Sequence, residues 1–167
     1  TLTLARMADG GLYDHLGGGF CRYSVDRYWQ IPHFEKMLYD NAQLAVVYLE
    51  GYQATGREDF AEVARGILEY VRREMTSPGG AFYSATDADS ITPGGHSEEG
   101  WFFTWTPAEL QALLGDEGAS VVEAYYGVTE KGNFEGRNIL HVTRPLEVVA
   151  AELDLSPDRV RTILNQA

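Results

Sequence analysis

Two runs of apolar residues at helical spacing, divided by a very short break, constrain this chain more than any other feature. Phe34, Leu38, Ala42, Ala45, Leu49 and Tyr52 recur at spacings of three and four up to Thr55-Gly56. Phe60, Ala64, Ile67, Leu68, Val71 and Met75 do the same on the far side. Such spacing gathers each set on one face of an α-helix, and glycine is a common helix stop. A connection this short returns the second helix antiparallel against the first. Pro32 suits an opening helical position, because its missing N–H is not needed there. One helix is therefore expected from Pro32 to Thr55, and another from about Glu58 to the Ser77-Pro78-Gly79-Gly80 breaker.

A similar order of features follows. Gly79-Gly80 precedes a strand-like Phe82-Tyr83-Ser84, an acidic loop and a strand-like Trp101-Phe102-Phe103-Thr104-Trp105. Thr106-Pro107 then opens a helix, with Glu109 placed to complete a capping box. The first pass reads Gly10-Gly11, Leu12-Tyr13, a polar loop, Trp29 and Pro32. Gly132-Asn133-Phe134, a strand-like Ile139 to Val142, and Pro145 form a third, weaker echo. The unit is a helix pair plus a β-like loop, and such units bury a shared core by stacking; chance recurrence of Gly-Gly and Trp-to-Pro spacings is the simpler alternative. Residues 82–84 and 101–105 are expected to pair across the acidic loop. With long loops at one end and short turns at the other, the glycine- and aromatic-rich loops should gather on one rim, which makes that rim the candidate site.

A chain of 167 residues with 44% hydrophobic residues can bury a core of its own. Its 13 Lys and Arg against 25 Asp and Glu leave a formal charge of −12. Nucleic acid and anionic membranes are therefore disfavoured partners. No apolar run has the roughly 18 to 20 residues that span a bilayer, and no leader pattern opens the chain. Cys21 is the single cysteine, which excludes an intrachain disulfide and a multi-cysteine zinc site and is compatible with a reducing, cytoplasmic location. The chain begins at Thr1 and closes at Ala167 within a helical pattern, so an excised fragment is expected. An incomplete stack of such helix pairs would expose apolar surface and self-associate.

The segment Gly10-Gly11-Leu12-Tyr13-Asp14-His15-Leu16-Gly17-Gly18-Gly19-Phe20, then Arg22-Tyr23-Ser24-Val25-Asp26, then Pro32-His33-Phe34-Glu35-Lys36-Met37-Leu38-Tyr39-Asp40-Asn41-Ala42, closely resembles the spermatogenesis-associated, thioredoxin-domain protein family. The likeness continues through Phe82-Tyr83-Ser84-Ala85, Asp87-Ala88-Asp89-Ser90, Glu99-Gly100 and Gly132-Asn133-Phe134-Glu135-Gly136. It implies a mainly α fold: the first portion of an (α/α) six-hairpin toroid with short β-hairpins at one rim. Such toroids are similar to those of glycosidases and N-acylglucosamine 2-epimerases. It also implies a longer protein, in which the remaining toroid and an N-terminal thioredoxin-like domain accompany this chain. No Cys-x-x-Cys-type motif is present, so no redox role is assigned. Cys21 stands where the family pattern often has His.

Glycoside cleavage needs two carboxyl groups flanking one bond, and epimerase-like proton transfer favours histidine, which titrates near neutral pH. We expect Asp14, His15, Arg22, Asp26, His33, Glu35, Asp87 and Asp89 to face one cleft. Asp26, His33, Glu35 and Asp87 are the catalytic candidates. Asp14, His15, Arg22, Tyr23, Trp29, Asp89 and Trp105 are the candidates for holding a sugar or polyol, the aromatics by stacking and Arg22 as a fixed positive charge. His33 is expected at the positive end of a helix, beside Glu35 and Lys36. Each loop carboxylate has a plainer reading as a solvated group or turn cap, and His33 as a loop-bonding histidine. Asn41, on the apolar stripe, ties a helix to a loop or contacts ligand. His96 and His141 receive no role.

No cofactor or metal site is expected. Asp87-Ala88-Asp89-Ser90 opens like a calcium loop, but Ile91 and Thr92 stand where a ligand and a glycine are required. Gly17-Gly18-Gly19 lacks the Gly-Lys-Ser/Thr ending of a phosphate loop. Cys21 reads as a packing residue. Two functions remain open: a carbohydrate-active domain with acid/base chemistry, or a non-catalytic binding or scaffold module, because function resides in sites and not in folds.

Overall fold

The computed structural model describes residues 1–167 as two compact units, Thr1–Phe103 and Thr104–Ala167. Six α-helices dominate, and every sheet is a two-stranded antiparallel pair. No helix is long and apolar enough to cross a membrane.

The first unit is built on the helical hairpin. Helix α1 (Leu2–Asp9) precedes the glycine-rich loop, and α2 (Leu38–Thr55) and α3 (Glu58–Glu74) form the hairpin. Gly56 caps α2 in the left-handed region at φ 69°, which a glycine reaches without steric penalty. Acidic Glu58 and Asp59 open α3, and Arg72 and Arg73 close it, both matching the helix dipole. Phe60, Ala61, Ala64, Ile67 and Tyr70 form its buried face. Leu68, expected inside, points outward. In the core, Tyr48 stacks on Phe20 at 5.4 Å and meets the edge of Phe60 at 5.7 Å.

Three expectations are corrected. Pro32 does not open a helix: Pro32–His33 is strand β2, paired with β1 (Tyr23–Ser24), and α2 begins only at Leu38. Residues 32–37 alternate strictly between buried and half-buried, the period of an extended chain. Lys36–Met37 continues as β3 and pairs with β4 (Ala85–Thr86). Segments 82–84 and 101–105 do not pair across the acidic loop. There, β5 (Asp89–Ile91) pairs with β6 (Ser97–Glu99), whereas Phe82 bridges Thr76 and Trp101–Phe103 forms a 3-10 turn. Gly100, at φ 74°, makes that turn; its place against the Phe34 ring leaves no room for a Cβ. Lastly, the buried stripe of α2 is Asn41, Ala45 and Tyr48, while Tyr39, Ala42, Val46 and Leu49 form a second, exposed stripe.

The second unit opens with β7 (Thr104–Trp105), paired with β8 (Asn138–Ile139). Helix α4 (Pro107–Tyr126) carries the expected capping box between Thr106 and Glu109 and is interrupted at Gly115, where φ is 70°. Helices α5 (Leu146–Glu152) and α6 (Pro157–Leu164) pack on it around Val121, Val149, Val160 and Ile163. Asn138 is fully buried; its amide donates to the Trp105 and Thr129 carbonyls and accepts from the Thr129 N–H.

Candidate functional site

The alternation along residues 32–37 sorts the candidate side chains onto two faces. Phe34 and Lys36 point into the first unit, whereas His33 and Glu35 stay half-exposed on the other side.

Lys36 is the residue that sequence reasoning passed over. It is 1% exposed, and its Nζ donates to Asp14 Oδ2 at 2.7 Å and to the Gly18 carbonyl at 2.8 Å. It also lies 4.3 Å from the Tyr70 ring centroid and 5.0 Å from that of Phe103, so rings and oxygens together replace water around the charge. Asp14 is fixed in turn by the backbone N–H groups of Leu16 and Gly17. Burial alone would raise its pKa, but the Lys36 charge and these hydrogen bonds outweigh burial and hold the carboxyl below the usual range. The signal available in the sequence was the two-residue spacing of Lys36 from Phe34.

Above this pair opens a cleft of about 270 Å³. Tyr70, Phe102 and Phe103 supply its aromatic wall, and Asp87, Asp89, Ser90, Arg73 and Glu74 its polar edge. Arg73 is anchored by donating to the Gly17 carbonyl and to Glu74. Asp87 and Asp89 are exposed; Asp87 Oδ1 accepts the Asp89 N–H at 3.1 Å, and Asp89 Oδ2 accepts the Ser97 hydroxyl at 3.4 Å. Asp14 of the glycine-rich loop and Asp87 and Asp89 of the acidic loop line this cleft, whereas His15, Arg22, Asp26, His33 and Glu35 do not.

A second group forms on the outer face of β2. Antiparallel pairing sets Tyr23 opposite His33, and their rings stack at 5.1 Å. His33 Nδ1 lies 2.8 Å from Glu99 Oε1, and His33 Nε2 lies 3.8 Å from Glu35 Oε2. Arg22 donates to that same Glu35 oxygen at 2.9 Å. Nearby, Asp40 has a buried carboxyl oxygen without a hydrogen-bond partner, and burial raises its pKa. His33 therefore sits in a strand between two carboxylates, not at a helix N-terminus.

The remaining candidates serve the scaffold or stand elsewhere. Asp26 accepts the N–H groups of Tyr28, Gln30 and Ile31 at 2.6, 3.3 and 2.8 Å. Burial would raise its pKa, but these bonds lower it overall. Trp29 takes a left-handed conformation at φ 66°, with its carbonyl pressed on Gly10. His15 hydrogen-bonds the Gly10 carbonyl and meets Tyr13 edge to face. Trp105 lies in the second unit, against the Leu110 and Val122 core. Cys21 is buried, and burial pushes its thiol up to about 12, leaving it protonated and unreactive. No three His, Cys, Asp or Glu side chains are grouped to hold a metal ion.

No protein-family model matches the chain. Human spermatogenesis-associated protein 20 is 45% identical to it over 183 aligned positions covering 98% of the chain, and the mouse protein of that name is 46% identical over the same share. The chain is homologous to one segment of spermatogenesis-associated protein 20. An uncharacterised protein of Caenorhabditis elegans is 44% identical over 78% of the chain. These relatives support the family to which the glycine-rich and Pro-His-Phe-Glu-Lys segments pointed. The chain spans only 23% of the length of the human and mouse proteins.

Proposed function

We propose that the cleft of the first unit binds a sugar or polyol, and that in the longer protein the hairpin α2–α3 belongs to an (α/α) toroid. The observation that carries the ligand reading is the placement of Asp87 and Asp89 on the edge of an aromatic wall made by Tyr70, Phe102 and Phe103. Ring faces suit the apolar C–H faces of a sugar, and exposed carboxylates accept its hydroxyls. The toroid reading is supported by the exposed stripe Tyr39, Val46 and Leu49 on α2. A helix apolar on two sides asks for a neighbour on each, and further hairpins of the toroid would supply the second. In the full-length protein we place those hairpins and a thioredoxin-like domain beside this chain, in the reducing cytoplasm that a single buried thiol fits.

Binding stands ahead of glycoside cleavage here. A cleaving site needs one carboxyl kept protonated as an acid, but in the cleft Asp14 is held ionised by Lys36, and Asp40, whose pKa burial raises, does not line it. The alternative of epimerase-like proton transfer has one specific observation in its favour, the seat of His33 between Glu99 and Glu35.

The test is an NMR titration of the chain with glucose, N-acetylglucosamine and sorbitol. Amide shifts should concentrate at Ser90, Phe102 and Phe103, and Phe102→Ala should weaken binding about tenfold, the scale of one lost aromatic stack. Shifts scattered elsewhere, or none with any of the three probes, would remove the sugar reading.

A further inference from the structure

We infer that Glu99 locks His33 in the tautomer carrying its proton on Nδ1, making Nε2 a free proton acceptor on the outer face of β2. An ionised carboxylate can only accept. The 2.8 Å contact between His33 Nδ1 and Glu99 Oε1 therefore requires the ring proton on Nδ1. In the neutral ring Nε2 then keeps its lone pair, and no hydrogen bond occupies it, because Glu35 Oε2 at 3.8 Å lies beyond bonding range. Arg22 holds that Glu35 oxygen at 2.9 Å, and the Tyr23 ring stacked on the imidazole restricts its rotation.

This is the arrangement of a positioned general base. The carboxylate fixes the tautomer and orientation and stabilises the imidazolium once it forms. In the step it supports, Nε2 takes the proton of a substrate hydroxyl, or of a C–H beside a carbonyl. The electron pair of the broken bond stays on the substrate as alkoxide or enolate. The imidazolium then lies between Glu99 at Nδ1 and Glu35 near Nε2, and returns the proton in the next step. His33 is the catalytic residue of this proposal, and Glu99 its positioning residue, 66 positions away in sequence. The proposal goes beyond the sugar reading, because His33 lies on the face of the β2–β3 segment opposite Lys36 and does not line the cleft.

His96 provides an internal control. It also pairs with a glutamate, but through Nε2, which lies 2.6 Å from Glu98 Oε1, and its side chain is 65% exposed against 29% for His33. Long-range nitrogen–proton correlation spectra of the histidine-labelled chain, with both rings neutral, should show His33 as Nδ1–H and His96 as Nε2–H. Glu99→Gln should move His33 toward Nε2–H and leave His96 unchanged. In the full-length protein, diethyl pyrocarbonate should modify His33 faster than the more exposed His96, and Glu99→Gln should slow His33 about tenfold. His33 found as Nε2–H in the native chain overturns the proposal, as does modification that simply follows exposure. Neither readout uses a sugar, so failure here is distinct from failure of the ligand reading.

Discussion

The ammonium of Lys36 sits 2.7 Å from the carboxylate of Asp14, joining strand β3 to the glycine-rich loop across 22 residues of sequence. Both groups are largely withdrawn from water, with side-chain exposures of 2% and 16%. The pair sets the floor of the cleft and fixes the loop that leads into it.

Removing one partner leaves the other charged and buried. Lys36→Met should therefore lower unfolding stability by about 3–5 kcal/mol, and the double variant with Asp14→Asn should recover part of that loss. Urea denaturation followed by circular dichroism gives the comparison. A loss below about 1 kcal/mol for the single variant would mean that the pair is not structural.

Acid should expose the same pair. Asp14 has a folded pKa below its ordinary value, so its contribution is whole above the unfolded pKa of about 3.9 and disappears as pH falls through the lower folded value. Asp26 and Glu109 shift in the same direction. Melting temperature should therefore drop steeply below about pH 4, and Asp14→Asn should flatten that limb. An unchanged acid limb in the variant would contradict the assignment.

Asp26 should behave as a turn cap. Asp26→Ala frees the N–H groups of Tyr28, Gln30 and Ile31, and a loss of about 1–3 kcal/mol is expected. Full stability combined with lost ligand binding would return Asp26 to the catalytic candidates.

Asn41 is fully buried. Its Oδ1 accepts the Phe20 N–H at 2.7 Å, and its Nδ2 donates to the Phe20 and Met37 carbonyls at 3.0 Å. Asn41→Leu would strand the Phe20 amide and carbonyl together, at a cost of about 2–5 kcal/mol. Thermal melts should show this even at saturating sugar concentrations, because the bonds serve the loop and not a ligand.

Sequence periodicity determined the helical hairpin. Spacings of three and four and a glycine that stops α2 are local, so the hairpin was legible without coordinates, although the start of α2 and its buried stripe were not. The capping box at Thr106 and Glu109 was legible for the same reason. Asn41 also announced itself, since an amide on an apolar stripe must find partners and the nearest loop supplies them.

Tertiary structure decided what local pattern could not. Pro32 reads equally as a helix opener or an edge-strand residue, and only pairing with Ser24 made it a strand. That choice turned His33 and Glu35 one way and Lys36 the other. Which carboxylate meets which cation depends on how distant loops close, and charge types alone carry no record of partners 22 or 66 positions away. The sequence could nominate Asp14 and His33. It could not assign Asp14 to Lys36, or His33 to Glu99, because those pairings exist only once the β2–β3 segment alternates its side chains and the acidic loop folds back across it.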